Sequence, residues 1–155
     1  MTSEILIIDD NSDIRFLISN LLKDKGFNVR EAANFNQALH EINKKMPEVA
    51  VIDVKLDKGD NDGIELLSYI KKIDTDVPVI MISGHANIQM AVDSLKLGAF
   101  EFIQKPFDAD RILNFVNRAI ESHKLKKENQ QLHSKLFHSY DLVGQSSSVI
   151  KLKNL

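Results

Sequence analysis

The chain contains no cysteine. Disulfides, thiolate-held metals and thiol redox chemistry are therefore excluded. It also lacks any surplus of charge: 20 basic residues stand against 22 acidic ones, for a formal net charge of −2. So near-neutral a chain has no global electrostatic attraction to nucleic acid. Long apolar runs are missing too. None approaches the ~20 residues that a membrane-spanning helix needs. Met1-Thr2-Ser3-Glu4 enters a short apolar run with no basic stretch before it, unlike a signal peptide. A cytoplasmic protein is the expectation. No Gly-x-x-x-x-Gly-Lys-Ser/Thr motif occurs and no helix-turn-helix is evident, so neither ATP hydrolysis nor DNA binding is expected of these residues. What remains is a hydrophobic fraction of 43% over 155 residues, enough for one domain with a proper core plus a short appendage.

The pattern is organised around Val49-Ala50-Val51-Ile52-Asp53, an apolar run that ends on a carboxylate. Pro47 precedes it and a polar loop, Val54–Asp62, follows, which reads as a strand buried on both faces. Ile5–Ile8 is a similar run. Phe27–Ala32 alternates like a less buried edge strand, Val77–Ile82 admits Pro78 at its entrance, and Phe100–Ile103 is the fifth run. Amphipathic stripes lie between them: Ile14, Leu17, Ile18, Leu21, Leu22; then Ala38, Leu39, Ile42, Met46; then Ile64, Leu66, Leu67, Ile70, Ile73. A weaker stripe follows at Ile88, Ala91, Val92, Leu95, and a last one at Ile112, Leu113, Phe115, Val116, Ala119, Ile120. Asp9 to Asp13, Asn34 or Asn36, and Asp108 are candidate helix caps. Five strand–helix repeats with short connections predict an α/β domain: a five-stranded parallel sheet, doubly wound and flavodoxin-like, over about residues 3–122.

The tail differs. Residues 123–140 are polar and charged, with Leu125, Asn129, Leu132 and Leu136 at heptad-like spacing, which predicts a helical linker: either a solvated extension or a dimeric coiled coil. The fifth helix runs into Lys124–Phe137 without a Gly or Pro break. Residues 141–155 begin a further pattern that stops mid-helix, as in a fragment of a longer protein.

Ligands bind outside the carboxyl ends of the strands in an open parallel sheet. Asp9 and Asp10 follow the first strand, Asp53 ends the third, Ser83 follows the fourth and Lys105 the fifth. Taken singly, each is as readily a cap or a turn residue. Together, three acids repel one another and raise one another's pKa, a situation a cation relieves. All-oxygen ligands suit Mg²⁺ or Mn²⁺. Lys105 opposite the metal leaves a space for a phosphoryl group, to which Ser83 can donate, and Asp53 becomes its natural acceptor. Pro106 is a candidate for a cis bond.

These residues resemble a response-regulator receiver domain of the two-component type: an acidic pair Asp9-Asp10, then Asp53, Ser83, and Lys105-Pro106, over about residues 4–122. The resemblance implies a phosphorylated aspartate at Asp53. It also implies direct Mg²⁺ ligation by Asp10, Asp53 and the Lys55 carbonyl, with Asp9 acting through water. Ser83 would be the switch hydroxyl, Lys105 the phosphate-binding lysine and Phe102 the switch aromatic. Leu142-Val143-Gly144-Gln145-Ser146 resembles the opening of the ATPase domain of NtrC-type sigma-54 activators. The loop Lys55–Asp62, about two residues longer than is common and without the usual proline, together with Lys-Lys-Glu-Asn in the linker, is most similar to the NtrX branch. The resemblance then implies a sensor histidine kinase of NtrY type as partner and a homodimer. It also implies ATPase and DNA-binding domains beyond this chain, with no membrane partner and no direct contact of this segment with nucleic acid. His85 and Lys55, each two residues past a site group, would border the phosphoryl site and tune its hydrolysis, or are exposed loop residues.

Two other classes compete. A Mg²⁺-dependent phosphohydrolase through an aspartyl phosphate wants a second acid two residues after the nucleophile. Lys55 stands there for Asp53 and Asn11 for Asp9. A phosphorylation-independent interaction module on the same fold would leave the acids vestigial. The chain is therefore expected to be a phosphoacceptor rather than an enzyme.

Overall fold

Three apolar runs lack polar alternation because both of their faces are covered. The computed structural model describes residues 3–56, 59, 62–84 and 88–125. Its strands are β1 (Glu4–Ile8), β2 (Asn28–Ala32), β3 (Val49–Asp53), β4 (Val79–Ser83) and β5 (Glu101–Gln104). Its helices are α1 (Ser12–Asp24), α2 (Phe35–Lys44), α3 (Asp62–Ile73), α4 (Ile88–Lys96) and a helix over 109–125, α5. All strands pair in parallel in the order β2-β1-β3-β4-β5, the doubly wound flavodoxin-like order.

Successive residues of a strand point to opposite faces. Leu6, Ile8, Ala50, Ile52, Val79 and Met81 therefore join one buried cluster, covered by Ala38 and Ile42 of α2 and Leu66, Leu67 and Ile70 of α3. Ile5, Ile7, Val49, Val51, Ile80 and Ile82 join the other, covered by Ile18 and Leu22 of α1 and Ile112, Val116, Ala119 and Ile120 of α5. β2 is an edge, as its half-polar alternation implies, and β5 is the opposite edge.

Several boundaries differ from the sequence reading. β4 begins at Val79, past Pro78, whose missing N–H cannot donate to a ladder. β5 begins at Glu101 rather than Phe100. α2 ends at Lys44, and Met46 packs on the first cluster from outside the helix. Three stripes are also narrower than the sequence reading. Leu17 of the first is 52% exposed and Ile73 of the third 54%. On α4, Ile88, Val92 and Leu95 are 84%, 37% and 48% exposed, and the buried residue is Ser94. That helix turns its apolar stripe outward, which periodicity cannot reveal.

The chain divides into two units, Met1–His123 and Lys124–Leu155. The linker seam beyond residue 125, the 141–155 segment and His85 lie outside the described residues. Among the described residues no helix is long and apolar enough to cross a membrane.

The turn after β3 is held by close packing. Asp62, 4% exposed, accepts from the Leu56 N–H and so closes the loop between β3 and α3. The Gly63 N–H donates to the Val54 carbonyl at 2.8 Å. A Cβ at Gly63 would lie 1.9 Å from the Asp53 carbonyl oxygen and 2.7 Å from the Val54 Cα. Both are backbone atoms, so the added carbon has nowhere to go. Gly63→Ala is expected to destabilise the fold by about 1–3 kcal/mol or more. Urea denaturation is the check; an unchanged midpoint would contradict this close approach.

Candidate functional site

β1, β3, β4 and β5 all end at the same edge because all run parallel, and each delivers one part of the site. Asp9 stays buried at the end of β1, with its N–H donating to the Ala32 carbonyl at 3.2 Å. Its Oδ1 accepts from the Asn11 N–H at 2.9 Å. The α1 cap is Asn11, whose side chain accepts from the Asp13 and Ile14 N–H groups. Neither Asp9 nor Asp10 is therefore consumed as the helix cap.

Asp53 is only 6% exposed, and its Oδ1 accepts from the Lys55 N–H at 3.3 Å. Lys105 reaches across from the end of β5. Its Nζ donates to Asp53 Oδ2 at 3.1 Å and forms an ion pair with Asp9 Oδ2 at 3.1 Å. The second contact falls outside hydrogen-bond geometry, so Asp9 Oδ2 keeps acceptor capacity while buried. The Lys105–Pro106 bond is cis. Ser83, 4% exposed at the end of β4, donates to the Met90 Sδ at 3.7 Å. Phe102 on β5 is half-buried against the first cluster. Asp10, Asp53, Lys55, Ser83, Met90 and Lys105 all line one cavity of about 530 Å³.

Carboxylate oxygens of Asp9, Asp10 and Asp53 lie within 4.8 Å of one another. Lys105 pairs with two of the three acids, Asp9 and Asp53, so the charge of the cluster is under-compensated. With Asp9 Oδ2 still able to accept, these oxygens fit a hard divalent cation. The mutual repulsion expected from the sequence acts on Asp53, but it is not the main cause there. Burial is the largest influence, Asp9 adds to it, and Lys105 and the Lys55 N–H oppose both, leaving Asp53 raised to about 6. Burial pushes the Lys105 ammonium down, but attraction to Asp53 and Asp9 outweighs it, and its pKa is raised.

Sequence reasoning brought Asp9, Asp10, Asp53, Lys55, Ser83 and Lys105 to one place, and the structure places them together. It missed three supports. Arg15 donates through Nη1 to the Asp9 backbone carbonyl at 2.7 Å and through Nε to Glu31 Oε1 at 3.1 Å. That link ties the acidic loop to α1 and β2. Gly63 lets α3 touch the back of Asp53, and Met90 meets Ser83. A lone arginine one turn into a helix gives no signal of such a role.

The family model of the response regulator receiver domain matches residues 5–117. The chain belongs to the response-regulator receiver family. It is 43% identical over 150 residues to a putative NtrX-like response regulator of Rickettsia bellii, covering 97% of this chain and 31% of that protein. Among solved structures, the receiver domain of NtrX from Brucella abortus superposes with a TM-score of 0.71 at 44% identity, over 76% of this chain and 98% of that one. The beryllofluoride-activated NtrC4 receiver domain dimer gives 0.72 at 32% identity, over 77% and 98%. The chain thus spans about a third of the length of the curated relatives it matches. Its receiver domain is similar to those of NtrX- and NtrC-type response regulators.

The raised Asp53 pKa has a consequence for stability in metal-free buffer. The folded carboxyl takes its proton more readily than the unfolded one. Its contribution to stability is fully present below about pH 4 and is lost as pH rises through about 6. Asp53→Asn should therefore be more stable than wild type at pH 7.5, by roughly 2–3 kcal/mol, with the gap closing toward pH 4. Urea melts at several pH values test this; a pH-independent gap would contradict the assignment.

Proposed function

We propose that Asp53 is the phosphoacceptor and that the donor is a phosphohistidine on a sensor histidine kinase of NtrY type. The observation that carries this reading is Lys105 Nζ at 3.1 Å from both Asp53 and Asp9, beside Asp10 at the same edge. A carboxylate oxygen of Asp53 attacks phosphorus, the phosphorus–nitrogen bond of the donor breaks, and the imidazole leaves. The product is an acyl phosphate. Lys105 faces the transferred oxygens and offsets their charge. Asp10, Asp53 and the Lys55 carbonyl would hold Mg²⁺ (or Mn²⁺) directly, with Asp9 acting through water. The ion would supply Lewis-acid stabilisation of the phosphoryl oxygens.

Ser83 then turns toward the phosphoryl group, and Phe102 moves inward behind it. The change biases two pre-existing arrangements rather than creating a new one. The exposed α4 stripe of Ile88, Val92 and Leu95 supports a receiver homodimer, in line with the NtrC4 receiver dimer it resembles. The linker (123–140) carries the change to an ATPase domain that begins at 141–155, and beyond it to a DNA-binding domain, in a cytoplasmic sigma-54 activator. His85, two residues past Ser83 in the sequence, would tune the lifetime of the phosphoryl group. The receiver itself is a phosphoacceptor, with at most slow self-dephosphorylation.

Intact mass after incubation with acetyl phosphate tests the acceptor. One phosphoryl adduct is expected on wild type with Mg²⁺, and none with EDTA or on Asp53→Asn. Lys105→Ala should be labelled at least about tenfold more slowly, since a charge-stabilising donor is lost. Labelling that survives Asp53→Asn would overturn the assignment.

A further inference from the structure

The Ser83 hydroxyl points at sulfur. Met90, in the first turn of α4, receives it at 3.7 Å. Met90 is half-buried, lines the same cavity as Asp53 and Lys105, and packs on the same buried cluster as Phe102. It therefore adjoins the hydroxyl and the acceptor pocket at once. A thioether is a weak acceptor, whereas a phosphoryl oxygen is charged and strong. Such a contact biases the hydroxyl while the pocket holds no phosphoryl group and yields when one arrives.

We propose that Met90 is a resting partner of the Ser83 hydroxyl and thereby tunes how readily the site engages a phosphoryl group. It is a positioning residue, acting through Ser83. The inference rests on the phosphoacceptor reading above and names a residue that tunes it. Met90 competes with an arriving phosphoryl oxygen for the hydroxyl, so the strength of the acceptor at position 90 shifts the resting population. Two replacements of similar size separate this role from packing. Leucine conserves volume but accepts nothing. Glutamine has similar reach and ends in a strong carbonyl acceptor. Packing alone gives no reason for these two to act in opposite directions.

The test is titration of the full chain with beryllofluoride in the presence of Mg²⁺, followed by fluorine NMR. Met90→Leu should bind about 2- to 5-fold more tightly than wild type, and Met90→Gln weaker by a similar factor. In a Ser83→Ala background both shifts should vanish, since a double-mutant cycle isolates the pair. Shifts in the same direction, or shifts that persist without the Ser83 hydroxyl, overturn the proposal. Should Met90→Gln fail to fold, the cycle of Met90→Leu with Ser83→Ala decides it alone. A wild type that binds beryllofluoride but is matched by Met90→Leu sinks the Met90 role and leaves the phosphoacceptor reading standing. A wild type that binds none and takes no phosphoryl group from acetyl phosphate sinks both.

Discussion

Lys105 stands 3.1 Å from Asp53 and 3.1 Å from Asp9, and both acids are buried. One ammonium faces two buried carboxylates, with Asp10 beside them in the same cluster. Much of the rest of the fold can be understood as what is needed to hold that imbalance. A carboxylate in a buried site costs several kcal/mol unless it is paired. Lys105 pairs Asp53 only in part, since Asp9 shares the same nitrogen. In the proposed chemistry the residual negative charge gives the site its use, by favouring a divalent cation and, with that cation, a phosphoryl group. A fully neutralised edge would be more stable and chemically idle.

The imbalance is sustained by backbone placed with little tolerance. Parallel pairing lines up the ends of β1, β3, β4 and β5, so four loops meet without long connections. Asn11 takes over the helix cap, and Arg15 pins the Asp9 carbonyl, which leaves the acidic side chains available. Behind Asp53, Gly63 allows α3 to press against the strand exit with no side chain between them. Beside Ser83 stands Met90, a flexible thioether. Rigid supports thus surround the acids, while the group beside Ser83 is soft. That division suits a site that must bind a phosphoryl group in a fixed place and then report its presence.

The sheet was legible in the sequence because burial on both faces leaves a strong signature: Ile5–Ile8 and Val49–Asp53 admit no polar residue before the terminal acid. The site was legible for a related reason. Once strands run parallel, whatever follows each of them must converge, so Asp9, Asp53, Ser83 and Lys105 could be grouped without coordinates. The α4 stripe was misjudged because periodicity reports that a helix is amphipathic, not which side finds a partner. Arg15, Gly63 and Met90 were overlooked for another reason. Their roles depend on distances across loops, and a guanidinium, a missing Cβ or a sulfur carries no spacing rule.

The most direct test of the account is the titration of the Asp53 carboxyl carbon by NMR in metal-free buffer and again with Mg²⁺. The account places its midpoint near 6 without the ion, because burial and Asp9 outweigh Lys105, and well below that with Mg²⁺ present. A midpoint near 3.8, the ordinary value, that does not move when Mg²⁺ is added would contradict it. The acids would then be solvated neighbours, and the charge imbalance on which the proposed chemistry rests would not exist.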